Sequence, residues 1–207
     1  MSDAAQPSAH KLVSQKARRD QIVAALCERM LARGFAATTL ADVARAAHMT
    51  PSHLLYYFNG KEEILNSCFE GVTAQIMTGL AALDEVPRAQ RLAKVADYFF
   101  GGKLLDKNDL GITLEFFGLA VHDKTLHATK AQFDHLVKGW LAHTFAALGR
   151  APGLSAEDAA EAAYALIVGL STSAFFDERL GFERARALLR DSLHNLAGTA
   201  VPREVQR

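Results

Sequence analysis

Thr50, Ser52 and His53 place small and polar side chains at the start of a short predicted helix. Hydroxyl and imidazole groups in such a position can form hydrogen bonds with base edges in a DNA groove. Tyr56 and Tyr57 follow one turn later, where their phenols can reach phosphate oxygens. These residue types and their spacing suit nucleic-acid contact, and they also suit a small helical subdomain with a solvated polar face.

Lys61 adds a positive charge at the start of the next predicted helix, where backbone N–H groups also favour a phosphate. The chain has 207 residues and no net charge, but its charge is unevenly distributed. Residues 1–61 hold eight basic side chains against four acidic ones, and residues 62–207 hold 15 against 19. A basic N-terminal segment on an acidic remainder indicates a polyanion partner at one end of the molecule.

Three predicted helices position these side chains. Apolar residues recur at intervals of three and four over 15–32, which predicts a long helix. Thr39 and Asp42 form a capping-box pattern before a second helix over about 40–47. An N-cap threonine followed by proline begins a third, over about 51–57. Two short helices joined by a tight turn and braced by a long one form a helix-turn-helix, whose second helix enters the DNA major groove.

The remainder of the chain predicts further helices and no sheet, because no segment alternates with period two. The predicted fold class is all-α, with a three-helix helix-turn-helix at the N-terminus, a C-terminal helical bundle and about nine helices. The further helices cover Asn59 to Leu80 and about 88–104, 109–121, 125–148, 155–179 and 183–197.

Composition argues against secreted and membrane proteins. The only cysteines are Cys27 and Cys68, so there is no disulfide framework, and both lie on apolar helical faces, which favours buried thiols over redox sensors. The longest uncharged run of the C-terminal half, residues 162–176, is shorter than the roughly 20 residues that a membrane span needs. We see no secretory signal and expect a cytoplasmic protein with no membrane partner.

Neither an enzyme nor a metalloprotein is expected. The sequence has no Gly-rich phosphate loop, nucleophile elbow or paired-carboxylate spacing. His122, His127, His135 and His143 invite a metal interpretation, but the last two lie roughly 12 Å apart along one helix, too far to share an ion. Exposed or hydrogen-bonded histidines are the favoured interpretation, with no cofactor.

Glu115 is the only charged residue between Leu110 and Val121. A carboxylate on so apolar a helix must be paired, hydrogen-bonded, protonated or hydrated. It is either the polar anchor of an apolar effector pocket or half of a structural ion pair with a basic residue of a neighbouring helix. The aromatic residues expected to line such a pocket are Phe99, Phe116, Phe117, Phe133 and Trp140.

The last two predicted helices carry apolar stripes that suit helix pairing. These stripes fit either a four-helix interface between two protomers or the core of one protomer. Their members are Ala162, Leu166, Gly169 and Ser173 on the first helix, and Leu189, Leu193 and Leu196 on the second.

About 45 residues of the N-terminal segment resemble the DNA-binding head of tetracycline-repressor-type (TetR/AcrR) regulators. The matching segments are Arg19-Asp20-Gln21-Ile22-Val23-Ala24-Ala25, Gly34-Phe35, Thr38-Thr39-Leu40-Ala41-Asp42-Val43-Ala44, Leu54-Leu55-Tyr56-Tyr57-Phe58 and Lys61-Glu62-Glu63-Ile64-Leu65. A weaker match to the effector domain covers 114–123 together with Leu126 and Trp140. The resemblance implies a DNA-binding domain over 15–60 and an effector-binding and dimerisation domain over 61–200.

The resemblance also implies a function and residue roles. The protein would be a homodimeric, ligand-responsive repressor that leaves a palindromic operator in double-stranded DNA when a small apolar or amphipathic effector binds. Thr39 would cap the second helix against a phosphate, Ser52 and His53 would face base edges, and Tyr57 and Lys61 would hold the DNA backbone. The alternative is an all-α small-molecule-binding or metal-dependent bundle that does not bind DNA.

Two positions depart from the family pattern. His48 replaces the usual glycine of the turn, so we expect a left-handed backbone there or a modified turn. Leu55 replaces the usual tyrosine of the recognition helix, which removes one phosphate contact that Tyr56 is placed to supply.

Overall fold

The computed structural model describes residues 9–101 and 107–200, with side chains described for 13–101 and 110–200. Over these residues the chain forms nine α-helices and a short 3₁₀ helix (Leu83–Glu85), without a strand, which confirms the predicted all-α class. The helices are α1 (Ala9–Arg33), α2 (Leu40–Ala46), α3 (Pro51–Leu55), α4 (Lys61–Ala82), α5 (Arg88–Phe100), α6 (Lys107–Ala120), α7 (Lys124–Leu148), α8 (Ala156–Phe176) and α9 (Gly181–Leu196).

The chain divides into two compact units between Gly71 and Val72, so α4 contributes residues to both. We call the described part of the first unit, residues 9–71, the head, and that of the second, residues 72–200, the body. The functional domains expected from the sequence, 15–60 for DNA binding and 61–200 for effector binding and dimerisation, stay a prediction.

The head is held together by one apolar face from each of its helices. Because α3 has only five residues and buries one side chain, it depends on tertiary packing and not on its own hydrogen bonds. Full burial of a leucine contributes about 1.5–3 kcal/mol. The fully or nearly buried residues are Ile22, Leu26 and Met30 of α1, Val43 and Ala44 of α2, Leu54 of α3, and Ile64 and Leu65 of α4.

Several element boundaries differ from the sequence prediction. α3 ends at Leu55 because Tyr56 already forms its C-cap. α4 begins at Lys61, not at Asn59, whose backbone N–H and side-chain amide both donate to the Glu63 carboxylate at 2.8 Å. α5 ends at Phe100, and positions 102–104 of the predicted helix lie outside the described residues.

The body is a bundle built around α8. This helix packs against both α7 and α9, while α5 packs on α9 and α6 on α7 and α8. Among the described helices, α8 alone is long and apolar enough to cross a membrane by length and composition. It nevertheless buries Ala159, Ala163 and Ile167 against its neighbours, as the core helix of a bundle does.

Candidate nucleic-acid interface and effector domain

Thr39 begins α2 with the predicted capping box. Its hydroxyl accepts a hydrogen bond from the Asp42 N–H (3.2 Å), and its own N–H donates to the Asp42 carboxylate (3.1 Å). The Thr39 hydroxyl also donates to the Asp42 carboxylate (2.5 Å). The hydrogen bonds that this carboxylate accepts from the hydroxyl and the N–H of Thr39, together with the Arg33 guanidinium 3.0 Å away, lower the pKa of Asp42 to about 2. Thr39 itself remains exposed, so the start of α2 is both rigidly capped and accessible at the surface of the head.

His48 forms the turn between α2 and α3 in a left-handed backbone conformation, with φ of 53°. This confirms the expectation drawn from the missing glycine, since histidine tolerates this region better than most residues. The turn is closed by a hydrogen bond from the Met49 N–H to the Ala44 carbonyl (2.9 Å). The Gln21 side chain of α1 secures it further by donating to the Ala47 carbonyl (2.9 Å).

The predicted contact residues of α3 lie at its exposed side. Thr50 caps the helix, since its hydroxyl accepts from the His53 N–H (3.2 Å). Ser52 and His53 are exposed. Leu55 is 50% exposed and Tyr56 is 68% exposed, which is unusual for side chains of this size. The geometry therefore presents hydroxyl, imidazole and phenol groups to solvent from a helix fixed on its opposite side.

Tyr57 is half-buried and serves as an aromatic support of this surface. Its ring centre lies 5.4 Å from that of His53 and 5.1 Å from that of Tyr56. Arg19 of α1 holds the backbone beneath it, donating to the Tyr57 carbonyl at 2.5 Å while its guanidinium lies 3.9 Å from the centre of the Phe58 ring. Sequence reasoning missed this role of Arg19, because no local pattern links residues thirty-eight positions apart.

Lys61 connects the start of α4 to the loop before α2. Its ammonium donates to the Phe35 carbonyl (3.0 Å) and the Thr38 carbonyl (3.1 Å) and lies 4.3 Å from the centre of the Phe35 ring. An ammonium has three N–H donors, so one N–H group remains besides the two that donate to these carbonyls. The predicted DNA-backbone residue thus also supports the fold of the head.

The six residues predicted to line an effector pocket lie on α5, α6 and α7. Phe99, Phe116 and Phe133 are buried, whereas Glu115, Phe117 and Trp140 are partly exposed. The centre of the Phe133 ring lies 6.5 Å from that of Tyr164. Phe117 lies near Tyr164 as well, because the ammonium of Lys130 lies over both rings. Trp140 instead donates its indole N–H to Asp84 (3.3 Å).

An ammonium cluster that sequence reasoning missed occupies this region of the body, formed by Phe117, Lys130, Asp134 and Tyr164. The Lys130 ammonium lies 2.7 Å from both Asp134 carboxylate oxygens, 4.5 Å from the centre of the Phe117 ring and 5.8 Å from that of Tyr164. The Tyr164 hydroxyl donates to the same carboxylate. Burial, reinforced by Asp134, raises the pKa of Tyr164, so the phenol stays protonated. The four-residue spacing of Lys130 and Asp134 on one predicted helix could have indicated this ion pair from the sequence.

The predicted dimer stripes divide by exposure. On α8, Ala162 and Leu166 are partly exposed and Gly169 and Ser173 are exposed. On α9, Leu196 is partly exposed, whereas Leu189 and Leu193 are fully buried within the protomer. The two buried leucines therefore belong to the core that α9 shares with α5 and α8, and they have no surface to offer a second chain.

The four histidines weighed as metal ligands, His122, His127, His135 and His143, are all exposed. Among the residues that the structure describes, no three His, Cys, Asp or Glu side chains converge to hold a metal ion.

Comparison with known proteins assigns the family. Residues 22–68 match the model of the bacterial regulatory proteins of the tetR family, and residues 87–198, more than half of the chain, match the BetI-type transcriptional repressor C-terminal domain. The chain belongs to the tetR family. It is a DNA-binding transcriptional regulator with a helix-turn-helix head, as the sequence predicted, and the alternative of a bundle without DNA binding is not supported.

Individual relatives of this tetR-family chain agree with the assignment. It is 26% identical to the HTH-type transcriptional regulator BetI 1 of Chromohalobacter salexigens over 186 residues, covering 87% of this chain and 91% of the relative. A TetR transcription regulator from Haloarcula marismortui has the same fold, with a TM-score of 0.77, 16% identity and coverage of 87% and 98%. A regulator from Saccharomonospora viridis, solved in complex with choline, also has a TM-score of 0.77, with 18% identity and coverage of 87% and 98%.

Proposed function

We propose that this regulator is a homodimeric repressor whose two α3 helices bind a palindromic operator in double-stranded DNA, and which a small amphipathic effector releases. The observation that carries the DNA part is the exposure of Ser52 and His53 on α3, which buries only Leu54, and of Tyr56 at its C-cap. Side chains that do not stabilise the head are available to contact bases and phosphates. The functional domains are 15–60 for DNA binding and 61–200 for effector binding and dimerisation.

Within this interface we assign base contacts to Ser52 and His53, because both are exposed in the first turn of α3. Backbone contacts are assigned to the exposed Thr39, Thr50 and Tyr56, to half-buried Tyr57, and to Lys61 through its remaining donor. Thr39 and Thr50 both act as N-caps, which fixes their hydroxyls at the surface.

The experiment that tests base contact by His53 is selection of bound duplexes from a random library by the full-length wild type and His53→Ala. We expect the variant to bind with relaxed preference at one base position per half-site, since a good base contact contributes about 1–3 kcal/mol of discrimination. Leu55→Ala is the matched control on the same helix and should keep the preference. An unchanged preference in His53→Ala would move base recognition to other residues.

For the effector, the ammonium cluster supports a small molecule with a cationic head and an apolar part. Phe117 and Tyr164 offer ring faces, and Asp134 offers a carboxylate, which together already hold the ammonium of Lys130. Aromatic faces and a carboxylate also recognise quaternary ammonium ligands. Phe99, Glu115, Phe116, Phe133 and Trp140 complete the proposed site, with Glu115 as its second carboxylate. Choline, the ligand of the S. viridis regulator, is therefore the first probe to use.

Calorimetric titration of choline into the full-length protein tests this site. We expect saturable binding that Asp134→Asn weakens at least tenfold, because the variant removes the negative charge opposite the ligand cation. Glu157→Gln, on the exposed first turn of α8, is the control and should bind as the wild type does. Binding that Asp134→Asn leaves unchanged would exclude the cluster as the effector site.

The dimer proposal rests on the exposed side of α8 and the end of α9. Ala162, Leu166, Gly169 and Ser173 form a stripe of small and apolar groups that permits close helix approach, and Leu196 extends it on α9. Leu166→Glu should convert the dimer to monomer in sedimentation velocity, whereas His143→Glu at another exposed site should not.

We further propose a cytoplasmic, non-enzymatic protein that needs no cofactor, metal or membrane, as suits a regulator of DNA.

A further inference from the structure

We propose that Cys27 and Cys68 form a reversible intrachain disulfide when a hydroperoxide oxidises the head. The two cysteines lie forty-one residues apart in the sequence, on α1 and α4, and are not joined by a disulfide in this structure. Their sulfur atoms nevertheless lie 2.9 Å apart. Since a disulfide has an S–S length of about 2.05 Å, the sulfurs need to approach by only about 0.9 Å to bond.

The surrounding head holds the two helices in the arrangement that brings the thiols together. Arg19 of α1 donates to the Ser67 hydroxyl of α4 at 3.4 Å and lies 3.9 Å from the Glu63 carboxylate. Leu26 and Phe69, which adjoin the two cysteines in the sequence, are buried. The thiols are therefore positioned by packing that does not depend on the disulfide.

The unequal exposure of the two cysteines assigns them different steps. Cys27 is partly exposed and can meet a hydroperoxide, whereas Cys68 is buried. The Cys27 thiolate attacks the peroxide oxygen, the O–O bond breaks, and a sulfenic acid and an alcohol or water form. The Cys68 sulfur then attacks the Cys27 sulfur, and hydroxide leaves as water with the thiol proton. Overall, two thiols are oxidised to one disulfide while one hydroperoxide is reduced.

The sequence favoured buried thiols over redox sensors, but Cys27 is partly exposed and its sulfur lies 2.9 Å from that of Cys68. In a reducing compartment, closely placed cysteine pairs that oxidise transiently act as redox sensors, whereas isolated buried cysteines are inert. The disulfide closes a loop that contains α2 and α3, the helices of the helix-turn-helix. Because a cross-link restricts the unfolded chain, the oxidised head should resist unfolding better than the reduced head. The geometry of the two sulfur atoms supports this disulfide whether or not the proposed operator and effector are correct.

The test is treatment of reduced full-length protein with hydrogen peroxide, followed by alkylation of remaining thiols, intact-mass measurement and peptide mapping. We expect a monomer that is lighter by two hydrogens, resists alkylation at both cysteines and yields a peptide linking Cys27 to Cys68. Dithiothreitol should restore both thiols, and the melting temperature should rise on oxidation and fall on reduction. Cys27→Ser and Cys68→Ala should each lose the cross-link, and Cys68→Ala should retain a trappable sulfenic acid at Cys27.

Three results would overturn the proposal. In the first, the wild type keeps both thiols open to alkylation after peroxide treatment. In the second, each cysteine gains oxygen without a cross-link. In the third, the cross-link joins two chains instead of two cysteines of one chain. All three readouts use the wild type, so they remain decisive even if a cysteine variant folds poorly.

Discussion

The head and the body use their polar side chains in different ways. Around α3 of the head, two cationic side chains bind backbone carbonyls: Lys61 binds those of Phe35 and Thr38, and Arg19 binds that of Tyr57. In the body, polar side chains mostly bind one another, as Lys130 and Asp134 do. The head therefore fixes its backbone while leaving the α3 side chains exposed, whereas the body satisfies a cation with aromatic and acidic groups in a partly buried cluster.

This difference indicates where each function can be altered. Because the proposed contact residues of α3 are exposed, we expect substitutions there to change base preference without loss of the fold. In the ammonium cluster, the charge of Lys130 is already paired with Asp134. A ligand can therefore bind there only if it displaces or rearranges one of the four side chains. The ammonium of Lys130 is the member most similar to an incoming cation, so its displacement would couple ligand binding to α6 and α7.

The largest expected effect comes from removing the single anchor of α3. Leu54→Ala should lower the free energy of unfolding of the head by about 2–5 kcal/mol, because the side chain is fully buried and the five-residue helix has no other buried contact. Leu55→Ala, next in sequence but half exposed, should change it by less than about 0.5 kcal/mol. Urea denaturation followed by circular dichroism measures both, and equal effects would contradict the single-anchor account.

A smaller effect is expected in the body from Asp134→Asn. The substitution weakens the charge-assisted hydrogen bonds that the carboxylate accepts from Lys130 and Tyr164, so we expect a loss of about 1–3 kcal/mol in unfolding free energy. Glu161→Gln affects a more exposed ion pair with Lys138 and should cost under about 1 kcal/mol. Equal losses of unfolding free energy in the two variants would show that the cluster stabilises the body no more than an exposed ion pair does.

Lys61→Ala should affect both stability and DNA binding. Loss of the hydrogen bonds to two carbonyls should destabilise the head by about 1–2 kcal/mol. Loss of a phosphate contact should weaken binding to all duplex sequences and reduce the salt slope of the binding constant by about 1. Arg45→Ala, whose side chain is 79% exposed, is the control for stability and should leave the unfolding free energy unchanged. An unchanged salt slope for Lys61→Ala would limit Lys61 to its structural role.

The smallest effect concerns acid stability of the α2 cap. The pKa of Asp42 is lowered from its ordinary 3.8 to about 2 in the folded head, chiefly by hydrogen bonds from Thr39. A depressed carboxyl pKa stabilises the fold above the unfolded-state pKa, and this stabilisation is lost as the pH falls through the folded-state value. Asp42→Asn should therefore be less stable than the wild type at neutral pH, and the two should converge between about pH 4 and pH 2. Thermal melts across this pH range measure the difference in stability between the wild type and Asp42→Asn. Asp20→Asn is the control and should not show this pH dependence.

Much of the head could be predicted from sequence because its determinants are local. The Thr39 capping box and the Thr50 cap each follow from residues within four positions of one another, whereas the left-handed backbone at His48 was expected from the departure from the family pattern. The family resemblance added what spacing alone left open, namely that the exposed face of α3 belongs to a DNA-binding protein.

The rest depends on which distant segments meet, and a single sequence does not specify that. The acceptors of Lys61 and the contact of Cys27 with Cys68 join residues more than twenty positions apart. The stripe on α9 shows the same limit, since apolar spacing predicted a buried face correctly but did not distinguish a core within the protomer from an interface between two. Leu189 and Leu193 lie in the former.

The central claim is that exposed side chains of α3 select a two-fold symmetric DNA sequence. Selection of duplexes from a random library by the full-length protein tests it most directly. We predict enrichment of a palindrome whose half-sites lie about 34–36 Å apart centre to centre, or a multiple of one helical turn, bound by two chains. A protein that remains a single chain and enriches no sequence from the library would contradict the claim.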